Sequence, residues 1–311
     1  SYLYCYIKRF KMNIIFNIIG GIGKCIAATA VLKAIKKQYP NSTTIVFSQF
    51  SNIFRNNPNI DITHINEELG NATYNLYIKD KECKVFAVDP FFHNDFITEK
   101  AHLIKTWCKI NDIKYNGEQP EIFLTDGEKE YYESAYNVDE SYGVPKPIMA
   151  IHTNGGVNSP LIYPGYNWAR DLPQDIIVKL IEEYREHYNI VHIKRPDQQA
   201  FSDTLECIDT PRGVAYMLLK SEKRIFIDSF AQHMAAALNL PSTVCWVTTN
   251  PTVFGYDLHD NVFANPHKKE FTTTSKTYSQ YELNESIIDF PWGEDEEVFD
   301  INKIFKSINK I

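Results

Sequence analysis

The residues with the clearest chemical promise are Asp228, Ser229 and His233, which follow the apolar run Arg224-Ile225-Phe226-Ile227. That run reads as a buried strand, and Asp228-Ser229 stands where a helix is capped. Residues 232–238 form a small-residue helix, and a second apolar run follows at 243–247. A strand–helix–strand unit of a parallel sheet gathers these side chains at the carboxyl end of its first strand. Helix N-termini at that edge offer unpaired N–H groups and partial positive charge, so an anionic ligand is the first expectation. Two other stretches could approach a phosphate. Residues 147–152 read as a strand ending in Thr153-Asn154-Gly155-Gly156, a turn whose glycines let backbone come close to an anion. Residues 12–19 form a strong buried strand running into Gly20-Gly21-Ile22-Gly23-Lys24. A regular P-loop is excluded there, because it needs glycine at 18 and Ser or Thr at 25, where the chain has Ile18 and Cys25. A dinucleotide fingerprint fits poorly, lacking a third glycine in place and an acidic end to the second strand.

The elements that must position these residues are alternating strands and helices, an α/β pattern. The helix after the first glycine turn runs from Cys25 to about Tyr39 and is stopped by Pro40. Strands are predicted at 43–48, 60–65, 74–78, 84–88 and 190–193 and within 257–265, and helices at 96–110, 126–136, 210–219 and from Pro173 through Tyr188. Residues 138–146, with Gly143, Pro145 and the adjoining Pro147, have the composition of a linker. The expected division is a first domain at 12–140, a second at 147–285, and a helical segment at 286–311. The spacing of Ile301, Ile304, Phe305 and Ile308 predicts a helix there, expected to pack back on the first domain.

A chain of 311 residues has room for two such domains, and 44% hydrophobic with 23% charged residues is a globular composition. A net charge of −7 with no dominant basic stretch argues against nucleic acid or an anionic membrane as the main partner. Cys5, Cys25, Cys83, Cys108, Cys207 and Cys245 show neither a C-x-x-C pair nor zinc-ligand spacing, which suits a reduced, cytoplasmic protein. No apolar run is long enough to span a bilayer, no signal-peptide pattern opens the chain, and stable membrane insertion is not expected. Residues 1–11 read as an extension ahead of Met12 or as an edge strand. No acidic D-x-D pair of metal-ligand character occurs, so no metal site and no separate cofactor are expected.

The string IDSFAQHMAAALNLPSTVCWVTTNP, residues 227–251, resembles the D-[ST]-x-x-x-H-x-x-A-A segment of the heptosyltransferase-like glycosyltransferases, family 9. In that family two Rossmann-like domains face each other across a cleft, the GT-B arrangement. The opening is similar to the family's G-x-[LI]-G turn and following helix, through Gly21-Ile22-Gly23, Thr29-Ala30-Val31-Leu32 and Tyr39-Pro40. Asn167-Trp168-Ala169-Arg170 resembles its K/R-x-W-P element, with Leu172 where tryptophan is usual, and Thr249-Asn250-Pro251 stands in for its G-x-T-x-P turn, with Tyr256 offering an aromatic face. The resemblance implies a nucleotide-sugar donor site built by Asp228, Ser229, Gln232 and His233, with Gly21, Gly23, Thr153, Asn154 and Arg170 toward the phosphates. An arginine can fork two oxygens of a diphosphate.

One departure bears on catalysis. Where the family has an aspartate that acts as general base, this chain has Lys24, and a protonated amine cannot take a proton from a hydroxyl. Either Asp89, His93 or Asp95, from the loop that faces the acceptor in the family, serves instead, or Lys24 binds phosphate or acceptor, or the chain does not catalyse the transfer. The ordinary alternative for Asp89, His93 and Asp95 is that they are turn and cap residues. The reading taken forward is a glycosyltransferase moving a sugar from a nucleotide-diphosphate sugar to a glycan or glycolipid, inverting and independent of metal. The competing readings are a non-catalytic nucleotide-sugar or glycan-binding protein of the same fold and, more distantly, a sugar-nucleotide epimerase or hydrolase.

Overall fold

The apolar run after Met12 forms β1 (Asn13–Asn17), in which Ile14, Ile15 and Phe16 are fully buried. Burial on both faces suits a central strand of a parallel sheet. In the computed structural model, which describes residues 11–65, 70–136, 146–155, 168–267 and 290–311, β1 pairs in parallel with β2 (Thr43–Phe47) and β4 (Cys83–Phe86). A further strand, β3 (Ile62–His64), completes the order β3-β2-β1-β4. Between β1 and β2 runs α1 (Ile22–Gln38), which starts earlier than Cys25 because Gly21 already has the extended geometry of a cap, and Lys36 and Lys37 close its last turn.

Two expectations for this half are corrected. Residues 74–78 are a wide helical turn, not a strand. Tyr77 and Ile78 pack on Ile15, Ile45 and Phe47, covering the sheet face that α1 leaves open, while Tyr74 and Leu76 face outward. Residues 96–110 are not one helix. A single turn at Asn94–Ile97 ends at Glu99, whose φ is +54°, and α2 (Leu103–Ile110) starts afresh with His102 Nδ1 accepting from the Ile104 amide at 3.2 Å. A residue with left-handed backbone cannot continue a helix.

The second sheet is also wholly parallel, in the order β10-β9-β8-β5-β6-β7. Its strands are β5 (Ile148–His152), β6 (Asn189–Ile193), β7 (Leu205–Cys207), β8 (Ser221–Ile227), β9 (Thr243–Trp246) and β10 (Asp260–Phe263). Around the two sheets run α3 (Asp126–Ala135), α4 (Gln174–Tyr184), α5 (Pro211–Lys220), α6 (Phe230–Ala237), the single turn α7 (Pro251–Phe254) and α8 (Ile301–Lys310). The expectation that the terminal helix packs on the first domain is also corrected. Ile304 and Ile308 of α8 are buried with Phe299, Ile177 and Met149 of the second half. Polar pins hold it there: Thr243 and Ser307 hydroxyls at 2.8 Å, Tyr184 to Asn309 at 3.1 Å, and Lys310 to Asp260 at 2.7 Å. Residues 138–145 of the expected linker, Gly156 and Asn167 lie outside the described residues, as do residues 1–10.

The halves are locked together. One apolar cluster runs from Ile14, Phe16 and Ala27 across to Met234, Ala235 and Phe226. Buried Arg212 of α5 reaches into the first half, where its guanidinium donates to both Glu128 carboxylate oxygens at 2.6 and 2.7 Å and to the carbonyls of Asn52 and Phe123.

Candidate functional site

Strands β1 and β8 are followed by the helices α1 and α6, and the starts of those two helices meet at the seam. An added Cβ on Gly23, in the first turn of α1, would lie 2.8 Å from His233 Cδ2 and 3.4 Å from Phe230 Cα, in the first turn of α6. Only a residue without a side chain permits this approach. Both helices present their positive ends in one region. No side chain caps α1, whereas α6 has the Ser229 hydroxyl accepting from the Ala231 amide at 3.4 Å.

Around the start of α6 the other expected residues assemble. The turn after β5 lies beside the end of β8, since a Cβ on Gly155 would be 3.4 Å from that of Ser229. Its shape is held by Asp171, which is buried and accepts from the Gly155 amide at 2.9 Å and from Asn154 Nδ2 at 3.2 Å. The Thr153 hydroxyl bonds Asn154 Oδ1 at 2.8 Å and His192 Nε2 at 3.0 Å. Arg170 sits on a segment tied to the end of β9, where the Thr248 amide and hydroxyl donate to the Ala169 carbonyl at 3.2 and 2.8 Å. Its charge is felt by Asp228, His152 and His233. Burial raises the Asp228 carboxyl pKa above its ordinary value, and the Arg170 charge and Thr249 hydroxyl oppose that rise.

His233 is placed as expected but is engaged inside the protein. Gln232 Nε2 donates to the Phe254 carbonyl at 2.9 Å and lies 3.2 Å from His233 Nε2. That orientation makes His233 Nε2 an acceptor and puts the ring proton on Nδ1, 2.7 Å from the Tyr256 hydroxyl. Burial, with His102, His259 and Arg170 nearby, drives its pKa down to about 3. The neutral ring therefore shapes the pocket and supplies no cation. His152 and His192 are likewise neutral, at about 3 and about 4, with burial the leading cause in each.

On the opposite side of the seam, Lys24 is almost fully buried and its Nζ lies 2.6 Å from Asp89 Oδ2. The ammonium sits over the Phe91 and Trp107 rings, 4.5 and 5.5 Å from their centroids. Asp89 Oδ1 accepts from the Phe91 amide at 2.9 Å. The remaining loop candidates are also occupied. His93 Nδ1 accepts from the Asp95 amide at 3.1 Å, and Asp95 binds Lys109 Nζ at 2.5 Å, which lowers its pKa. Gly21 has open space around it. Sequence reasoning missed two residues. Asp171 carries the glycine turn, and Glu99 hydrogen-bonds Asn250 across the seam.

Among the described residues no helix is long and apolar enough to cross a membrane, and no group of three or more His, Cys, Asp or Glu side chains could hold a metal ion. No protein-family model and no curated protein matches the sequence. Solved structures do. A glycosyl transferase family 9 protein from Veillonella parvula superposes with a TM-score of 0.67 at 12% identity, covering 96% of both chains. The Escherichia coli ADP-heptose lipopolysaccharide heptosyltransferase II gives 0.64 at 12% identity, over 96% of this chain and 98% of that one. The dodecameric iron-containing glycosyltransferase TibC of enterotoxigenic E. coli gives 0.62 at 13%, over 97% and 76%, and its complex with ADP-D-β-D-heptose gives 0.55 at 12% identity. At such identities the likeness establishes architecture, and this chain has the two-lobed GT-B fold of the family 9 glycosyltransferases.

Proposed function

We propose that the protein transfers a sugar from a nucleotide-diphosphate sugar to a hydroxyl of a glycan or glycolipid, with inversion and without a metal ion. The observation that carries the reading is the convergence of Arg170, the Thr153–Gly155 turn and the amino end of α6 opposite the glycine turn of the other lobe. A diphosphate leaving group needs cations and N–H dipoles fixed in advance where its charge develops. Arg170 would fork the phosphate oxygens, and the first amides of α6 would meet the rest. Structures of this fold hold ADP-heptose, which supports a donor of the same chemical class. The Lys24–Asp89 pair favours a second reading, a donor-binding protein without turnover, because the position of the family's base carries a cation.

Thermal unfolding with ADP, UDP and GDP and their sugars tests the reading. A nucleotide held by the native state at a hundred times its Kd adds about 2.7 kcal/mol, an upward shift of about 4 °C in a chain of 311 residues. The shift disappears in Arg170→Ala. Absence of any shift with the whole panel refutes the reading, and a shift without release of nucleoside diphosphate selects the binding protein.

A further inference from the structure

Three donors of the turn that the donor reading sets against phosphate are already in use. The Thr153 hydroxyl donates to Asn154 Oδ1 at 2.8 Å, Asn154 Nδ2 donates to Asp171 Oδ2 at 3.2 Å, and the Gly155 amide donates to Asp171 Oδ1 at 2.9 Å. Asp171 therefore takes, with its two oxygens, one side-chain amide and one backbone amide of a strand-end glycine turn. Those are the contacts that an anionic oxygen makes in such a turn. The turn adjoins the start of α6, since an added Cβ on Gly155 would lie 3.4 Å from the Ser229 Cβ and 3.8 Å from the Asp228 carbonyl oxygen. Asp171 is buried, at 3% exposure. The backbone around it is pinned, with the Leu172 amide donating to the Thr153 carbonyl at 3.0 Å and the Ala169 carbonyl accepting from the Thr248 hydroxyl at 2.8 Å. Moving the carboxylate out of the turn thus takes a side-chain rotation and no rearrangement of the segment.

The charges around the turn point the same way. Asp228 is buried at the same strand edge, and Arg170 is the cation whose field reaches it. The next cations along the sheet, Lys194 and Arg195, are paired with Glu206 and Asp197. A diphosphate arriving beside two carboxylates and one arginine meets repulsion that the departure of one carboxylate relieves.

We propose that Asp171 is an internal competitor of the donor phosphate: its carboxylate fills the anion position of the Thr153–Gly155 turn, and a nucleoside diphosphate binds by displacing it. The inference rests on the donor-site reading. Displacement lowers the apparent affinity by the fraction of molecules in which the turn is open, so the contact is autoinhibitory.

The test compares the wild-type chain with Asp171→Ala and Asp171→Asn, measuring the dissociation constants of ADP, UDP, GDP and inorganic pyrophosphate by titration calorimetry. Competition and mere support of the turn predict opposite signs. A competing carboxylate, once removed in Asp171→Ala, leaves nucleoside diphosphate binding tighter by about tenfold. Asp171→Asn keeps an acceptor for the Gly155 amide without the charge, and tightens binding by a smaller factor. A carboxylate that only shapes the turn gives weaker binding in both variants. Thermal unfolding without nucleotide reports whether each variant is folded, and Asp171→Asn carries the test if the alanine variant, with its Gly155 amide unmatched, is not. Affinity equal to or below wild type in the folded variants overturns the proposal and leaves the donor site standing. Failure of the wild type and both variants to bind any of the four ligands overturns the donor reading and this inference together.

Discussion

Replacing Gly23 by alanine probes the meeting of the two helices directly. The new methyl would sit 2.8 Å from His233 Cδ2 and 3.4 Å from Phe230 Cα, where ordinary carbon contacts are about 3.5–4.0 Å. Neither neighbour yields easily. Phe230 offers backbone, and the His233 ring is held by the Tyr256 hydroxyl at 2.7 Å on one side and Gln232 at 3.2 Å on the other. The helix starts must therefore separate by several tenths of an ångström. Alanine gains up to about 1 kcal/mol of helix propensity, less in a first turn, while overpacking costs about 1–3 kcal/mol. The balance is a loss of about 1–2 kcal/mol, a Tm lower by about 1.5–3 °C. If the donor site is as proposed, the helix amides that would meet the phosphate move with the helices, and nucleoside diphosphate affinity falls by about tenfold, the equivalent of about 1.4 kcal/mol. Thermal unfolding with and without nucleotide reads both effects. Gly21→Ala is the control, since Gly21 has no atom within 4 Å of an added Cβ and its φ of −74° suits alanine. Equal stability of the two variants would falsify the close approach of α1 and α6 on which the site depends.

Two further perturbations address buried ion pairs, one joining the lobes and one inside the first lobe. Arg212 holds the Glu128 carboxyl down to about 2 from an ordinary 4.5. A group depressed in the folded state stabilises above its unfolded pKa, so this contribution is complete above about pH 4.5 and is lost as pH falls toward 2. It amounts to about 2–3 kcal/mol, allowing for the fifth of the Glu128 side chain that meets water. Glu128→Gln removes that amount at pH 7 and flattens the acid limb of a stability–pH curve measured by urea unfolding, and an unchanged limb assigns the acid sensitivity elsewhere. Inside the first lobe, Lys24→Asp sets two carboxylates side by side with no cation between them and destabilises by about 2–4 kcal/mol. Lys24→Asp with Asp89→Lys restores the pair in reverse and recovers most of that loss, a coupling that a double-mutant cycle measures, and strictly additive losses would show that the two charges do not interact.

The central strands were readable because a parallel strand buried on both faces is a nearly continuous apolar run, as in residues 12–19, 148–152 and 224–227. The meeting of Thr153, Asp228 and Ser229 at one sheet edge was readable for a related reason. In a parallel sheet, strand ends and helix starts share one edge, so Thr153, Asp228 and Ser229 had to come together once their strands were recognised. What was not readable depended on contacts distant in the chain. Lys24 and Asp89 are 65 residues apart and meet only because β1 and β4 are neighbours in register. Residues 74–78 had strand composition, but β3, β2, β1 and β4 fill the sheet, leaving them to cover its open face. The break at Glu99 is a backbone outlier of a residue type that helices favour, so no propensity argument could place it. The terminal helix carried the right stripe and the wrong expected partner, because amphipathic spacing defines a face and not what it packs on.

The lysine at position 24, where the family resemblance implies an acid, follows a consistent physical logic. A cation in the first turn of a helix opposes the helix dipole, and a nearly buried one is expensive unless paired. Asp89 supplies the pairing and the rings of Phe91 and Trp107 the packing, so the amino end of α1 carries a neutral unit where a lone base would carry negative charge. A neutral unit there repels a diphosphate less than an aspartate would. It also removes the proton acceptor from that spot, and a transferase built this way must keep its base elsewhere along the seam.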